Sequence, residues 1–170
     1  MATAEKLSLL RPGFFERDPL LCARELIGMH LTHGECSGRI IETEAHHEVG
    51  GPACHLFTRP SARKFVRQYP AGTAYVYLND EVHWLVNVLT YDPASGTSGF
   101  VLFRSLEAVT GIPLMEERRG TKDPRRLCSG PGKLTAALEI GRDQHGHPLT
   151  SRTDFYLRLP PSRAPAGKAR

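Results

Sequence analysis

The run Glu42-Thr43-Glu44-Ala45 gathers the residue types best suited to acid–base chemistry. It follows the apolar pair Ile40-Ile41, and on a strand the alternation of side chains sends Glu42 and Glu44 to one face and Thr43 to the other. Two carboxylates beside an apolar run are costly to bury unless they are used or paired. A positioned carboxylate can take a proton from water. An exposed strand end with two solvated acids would read the same way, and residue types alone leave both readings open. His46, His47 and His55 follow. Glu44, His46 and His55 could ligate a metal and serve a hydrolase, but their spacing fits no familiar zinc pattern, so no metal is expected.

Two further groups could act with these acids. Arg104 closes the apolar run Phe100–Phe103, where an arginine either clamps phosphate or pairs a carboxylate such as Glu44. Ser129-Gly130-Pro131-Gly132-Lys133 is a small-residue turn feeding a helix start. Its glycines allow close backbone approach, the helix start offers unpaired N–H groups, and Lys133 adds a mobile cation. A backbone phosphate of nucleic acid fits such a turn, as does a plain helix cap. The spacing is not that of a P-loop.

The elements that must carry these residues are legible in outline. Asp18-Pro19 caps and opens a helix with an apolar stripe at Leu20, Ala23, Leu26 and Ile27, ended by Gly28. Strands are expected over Met29–Thr32 and Arg39–Ala45, with a turn at His33-Gly34. Gly50-Gly51-Pro52 breaks the pattern, and residues 46–73 read as a long basic loop. Ala74–Leu78 and Val82–Leu89 form a hairpin around Asn79-Asp80-Glu81. Phe100–Arg104 is a strand and Pro113 starts a short helix. The helix after Lys133 should stop at Gly141, and Asp154–Arg158 is a last strand. The sum is an α+β domain with a largely antiparallel sheet.

With 170 residues the chain fits one domain around one core. No apolar run approaches a membrane span, so no membrane association is expected. The N-terminus carries no signal-peptide pattern, which gives a cytoplasmic or nucleoid-associated location. Cys22, Cys36, Cys54 and Cys128 form no Cys-x-x-Cys pair and read as reduced thiols. The net charge of +4 is concentrated in two clusters: Arg59, Arg63, Lys64 and Arg67, then Arg118, Arg119, Lys122, Arg125, Arg126 and Lys133. Both fall in polar, Gly/Pro-punctuated stretches and read as surface loops that could face nucleic acid.

Taken in order, several segments resemble the alkyladenine (3-methyladenine) DNA glycosylase family. They are Gly38–Ala45, His55, Gly72–Tyr77, Asn87-Val88, Val101–Glu107 and Leu127–Leu134, within about residues 8–145. The resemblance implies a single α+β domain like the formyltransferase C-terminal domain, with a curved antiparallel sheet, flanking helices and a protruding hairpin. It implies an enzyme, needing no cofactor, that flips a damaged purine out of duplex DNA and hydrolyses its glycosidic bond. No lysine occupies the inferred pocket positions, which suggests a monofunctional enzyme. By position, Glu44 falls on the general base and Arg104 on the arginine that helps hold the water. His46, His55 and Tyr77 fall on the walls that stack on the flipped base. Asn87 falls where the family discriminates against the 2-amino group of guanine. Asp80, Val82, Ser129, Gly130 and Lys133 fall on the DNA-binding surface.

The bottom-up chemistry is consistent with those roles. A 3- or 7-alkylated purine is already a good leaving group, so the site must supply a water, a base for it and stabilisation of an oxocarbenium-like sugar. Aromatic walls favour an electron-poor base. The chain departs from the family at three places. Asp80-Glu81 stand where a wedging Tyr-Gly pair is usual, His46 replaces a usual tyrosine, and the family's Gly/Pro-containing pocket segment beyond residue 158 is not evident. The expectations are a glycosylase domain over 1–158 with a flexible tail over 159–170, acting as a monomer on duplex DNA that contains damaged purines. The alternatives are a catalytically weakened lesion-binding relative of the same fold, or a metal-dependent hydrolase.

Overall fold

The structure, a computed structural model, describes residues 8–49 and 57–160. Asp18 accepts hydrogen bonds from the backbone N–H groups of Leu20 and Leu21, capping α1 (Pro19–Leu26), with Pro19 in its first turn. The chain then enters β1 (His30–His33) and turns at Gly34 into β2 (Cys36–His47). Then follow α2 (Pro60–Gln68), β3 (Ala74–Asn79), β4 (His83–Asp92) and β5 (Thr97–Thr110). The short helices α3 (Ile112–Arg119), α4 (Pro124–Leu127) and α5 (Pro131–Leu138) precede the last strand, β6 (Phe155–Arg158).

The six strands form one sheet in the order β3-β4-β5-β2-β1-β6, with every neighbouring pair antiparallel. The two faces of this α+β sheet differ. One face is covered by α1, α3 and α5 and holds the main core, in which Leu26, Leu31, Ile40, Val88, Val101, Phe103, Met115 and Leu134 are fully buried. The other face carries a smaller aromatic cluster of Phe57, Phe65, Tyr75, Leu89 and Phe100. There α2 is seated through Ala62 and Phe65, and Ser61 and Tyr75 share a 2.8 Å hydroxyl–hydroxyl hydrogen bond.

Several elements depart from the sequence expectation. The stretch 46–73 is not one long loop, because α2 lies within it and β2 runs on to His47. Ala62, Phe65 and Val66 recur at helical spacing, and Pro60 suits a first turn. The first basic cluster therefore lies on and beside a helix, with Arg63, Lys64 and Arg67 exposed on the side away from the sheet. Most of the second cluster is also helical, spread over α3, α4 and α5. The last of these helices stops at Leu138 rather than Gly141: Glu139 takes a left-handed conformation and turns Ile140 into the core. The strand expected over Phe100–Arg104 extends to fourteen residues.

The disposition of β2 depends on irregular pairing with β5. The register passes from Ile40↔Leu106 to Glu42↔Ser105 and then to Thr43↔Phe103, leaving Ile41 and Arg104 without direct partners. Such bulges re-aim side chains. Ile40 is in the main core, and Thr43 donates to the Ala23 carbonyl of α1, so both face the helices. Strict alternation could not place residues 40 and 43 on the same face. The extra residue lets Ile41 and Glu42 both turn outward and delivers Glu44 to the face opposite the main core.

Cys22, Cys36 and Cys128 are free and buried. Among the described residues no helix is long and apolar enough to cross a membrane. Cys54, the Gly50-Gly51-Pro52 break and all but the first two residues of the expected tail lie outside the described residues.

Candidate active site

One row of directly paired residues crosses the sheet on the aromatic face: Tyr75 on β3, Asn87 on β4, Leu102 on β5 and Glu44 on β2. Opposed residues of antiparallel strands share a face, so the row sets Tyr75 and Glu44 at two ends of a strip floored by Asn87 and Leu102. Asn87 is buried, and its Nδ2 donates to the Tyr75 carbonyl at 3.4 Å. Its Oδ1 is buried and has no hydrogen-bond partner among the described residues. An acceptor left unpaired in the floor costs stability unless a ligand uses it.

The Glu44 carboxylate is fixed through both oxygens. Arg104 Nη1 donates to Oε2 at 2.6 Å, and His46 Nε2 lies 3.3 Å from Oε1. Arg104 is held in turn from its other side, with Nε donating to Glu42 Oε1 at 3.2 Å. Arg104, passed over by the β2–β5 pairing, is thus aimed between the two acids. The Glu44 side chain is 38% exposed, so the carboxylate is oriented by charge-assisted bonds yet open to solvent. A carboxylate so placed can polarise or deprotonate one water and can stabilise positive charge developing nearby.

The walls are aromatic. Tyr77 lies next to Tyr75, with ring centroids 5.5 Å apart, and the Arg59 guanidinium carbon sits 4.4 Å from the Tyr77 centroid. Burial raises the Tyr77 phenol above its ordinary pKa, against the opposing charge of Arg59 and with the help of Glu44 and Asp80. His46 is buried beside Glu44. His145, from the far end of the chain, packs on Phe65 and Tyr75 and accepts the Val76 N–H through Nδ1 at 3.0 Å. Burial lowers its pKa.

The remaining expected residues sit at the rim. Asp80 and Glu81 both have positive φ, and the Val82 N–H donates to the Asn79 carbonyl at 3.1 Å, closing a tight turn at the hairpin tip. Val82 is 68% exposed there, the most exposed large apolar side chain of the hairpin. The start of α5 abuts the same hairpin, since a Cβ on Gly132 would come within 2.9 Å of the His83 side chain. Ser129 and Lys133 are exposed, and no side chain caps α5 at Gly130.

The structure therefore gathers Glu44, Arg104, His46, Tyr77 and Asn87 on one face and sets Asp80, Val82, Ser129, Gly130 and Lys133 around the hairpin and the α5 start. His55 lies outside the described residues. Sequence reasoning did not single out Tyr75, Arg59 or His145 as site residues. His145 is some seventy residues from its partners and left no local signal. Arg59 was visible only as one member of a basic cluster.

The family model for methylpurine-DNA glycosylase matches residues 13–169. The chain belongs to the methylpurine-DNA glycosylase family. The match runs through most of the stretch expected to be a tail. A protein of Methanoculleus marisnigri is 46% identical over 160 residues, covering 92% of this chain and 79% of its own. One from Agrobacterium fabrum is 43% identical over 152 residues, covering 89% and 75%. One from Rhodopseudomonas palustris is 45% identical over 141 residues, covering 83% and 67%. All three carry the name "Putative 3-methyladenine DNA glycosylase".

Proposed function

We propose that this member of the family excises alkylated or deaminated purines from duplex DNA by hydrolysis of the N-glycosidic bond, leaving an abasic site. The observation that carries the reading is the Glu44 carboxylate held by Arg104 and His46 on a solvent-open face. In this reading the damaged nucleotide leaves the stack, because a base within it cannot be attacked. Its purine lies over Asn87 and Leu102, between Tyr77 and His46. Glu44 takes a proton from a water that Arg104 helps to hold. The water oxygen bonds to C1′ of the sugar, the C1′–N9 bond breaks, and its electron pair leaves with the purine. A 3- or 7-alkylated purine is cationic before the bond breaks and leaves as a neutral base, whereas a neutral lesion such as hypoxanthine leaves as an anion and takes its proton from solvent.

Asn87 is assigned to specificity. Its Nδ2 points away to the Tyr75 carbonyl, and the 2-amino group of a normal guanine would crowd the floor there. No lysine is assigned to the pocket, which favours a monofunctional enzyme without Schiff-base lyase chemistry. The DNA backbone is assigned to the hairpin tip at Asp80 and Val82 and to the α5 start at Ser129, Gly130 and Lys133, where uncapped N–H groups suit phosphate. Here the protein acts as a monomer.

The test is an excision panel on duplexes carrying 3-methyladenine, 7-methylguanine, hypoxanthine or ethenoadenine, with abasic sites as readout. Excision of at least one, surviving a chelator, is expected. A folded protein that cuts none removes the enzyme reading. Tight lesion binding without turnover would instead support a lesion-binding protein. The exposed acids Asp80 and Glu81 motivate this second reading, because their repulsion from phosphate opposes wedging of the hairpin tip into the duplex.

A further inference from the structure

The aromatic wall formed by Tyr77 already carries a cation. The Arg59 guanidinium carbon is 4.4 Å from the ring centroid, and its Nη2 donates to Asn79 Oδ1 at 3.5 Å. Arg59 occupies the N-cap position of α2 and precedes Pro60, so its backbone is constrained on the C-terminal side. The helix it leads is anchored on the sheet by Ala62 and Phe65 and by the Ser61–Tyr75 hydrogen bond. Arg59 is therefore aimed at Tyr77 from a fixed support and is only partly exposed.

A guanidinium is flat, delocalised and positive. An N-alkylated purine shares those properties. Both are attracted to a tyrosine face by the ring quadrupole. A ring that holds one cation offers less to a second, whichever face the second approaches, and the two charges repel in a partly desolvated site. A neutral purine of the same shape keeps its stacking and dispersion contacts and meets no such repulsion.

We propose that Arg59 is a specificity-determining residue: its fixed charge on Tyr77 biases the site toward neutral lesion bases such as hypoxanthine and ethenoadenine, and away from cationic ones such as 7-methylguanine. The inference rests on the function proposed above. Glu44 and Arg104 are common to both substrate classes and do not create this bias. Arg59 acts only on the relative rates.

The experiment compares single-turnover excision of 7-methylguanine and hypoxanthine from the same duplex sequence by the wild-type protein, Arg59→Gln and Arg59→Lys. Arg59→Gln removes the charge and is expected to raise the 7-methylguanine to hypoxanthine rate ratio about 3- to 10-fold, the scale of one cation–π contact. Arg59→Lys keeps the charge and should leave the ratio within about twofold of wild type. An unchanged or lowered ratio in Arg59→Gln, or equal shifts in both variants, overturns the inference while leaving the glycosylase reading intact. A wild-type protein that cuts neither of these bases, nor the 3-methyladenine and ethenoadenine of the panel above, removes the glycosylase reading. The ratio of dissociation constants for the two duplexes, measured on Glu44→Gln with and without Arg59→Gln, then decides the inference alone. A shift toward the cationic lesion supports it, and an unmoved ratio overturns it.

Discussion

Two adjacent rows of the sheet, one residue apart, have different tasks. Ala74, Val88, Val101 and Ala45 pair across β3, β4, β5 and β2 and turn toward α1 and α5. The next row, Tyr75, Asn87, Leu102 and Glu44, turns the other way. The same four strands thus present small and branched apolar side chains to the core and tyrosine, amide and carboxylate to the site. Rigidity comes from the first row and chemistry from the second. A one-residue slip of any strand would exchange them, and the bulged pairing around Glu42 keeps β2 in step with both.

Substitutions should separate the rows cleanly, and the largest effect belongs to the core face. Phe103→Ala is expected to lower unfolding free energy by about 3–5 kcal/mol in denaturant titrations. A loss below about 1 kcal/mol would mean that this face is not the main source of stability. On the site face, Arg104→Ala should reduce single-turnover excision about 100-fold, the scale of misplacing a group at the chemistry. Its ion pairs are part exposed, so stability should change by less than about 1 kcal/mol. A stability loss as large as that of Phe103→Ala would make the second row structural too.

Smaller effects sharpen the contrast. Asn87→Ala removes a buried unpaired acceptor together with the long Nδ2 bond to the Tyr75 carbonyl, so the two effects oppose each other and stability should hold within about 1 kcal/mol while release of undamaged guanine becomes measurable. Glu81→Gly replaces a left-handed glutamate at the hairpin tip and should raise stability by about 0.5–1 kcal/mol in thermal melts. The smallest effect concerns pH. Burial, then the charges of Arg158 and Arg39, lowers the pKa of His30 below the ordinary histidine value of 6.5. The unfolded chain therefore takes up that proton first, and stability falls as pH drops below about 6.5. His30→Gln should flatten that part of the pH–stability curve.

Much of this was legible in the sequence, for identifiable reasons. Asp18-Pro19, the hairpin signal at Asn79–Glu81 and the apolar alternation of β4 are local, and local rules read them. Glu42 and Glu44 were expected on one side by simple alternation. They do both reach Arg104, but a bulge brings this about, and bulges depend on partner strands. The helix α2 was hidden by the breaks and charges around it, although Ala62, Phe65 and Val66 carry its period. The pairing of Arg59 with Tyr77 and the packing of His145 on Tyr75 are long-range contacts without a sequence signature. The roles of the site residues came from resemblance, since the sequence itself left Arg104 divided between phosphate and carboxylate.

The central claim is that Glu44 activates the water. Its most direct test is Glu44→Gln, with lesion binding and single-turnover excision measured on the same duplex. Excision is expected to fall by about 10²–10⁴-fold, the contribution of a general base, while lesion affinity and the unfolding midpoint stay near wild type. Undiminished excision by a folded Glu44→Gln protein would contradict the account.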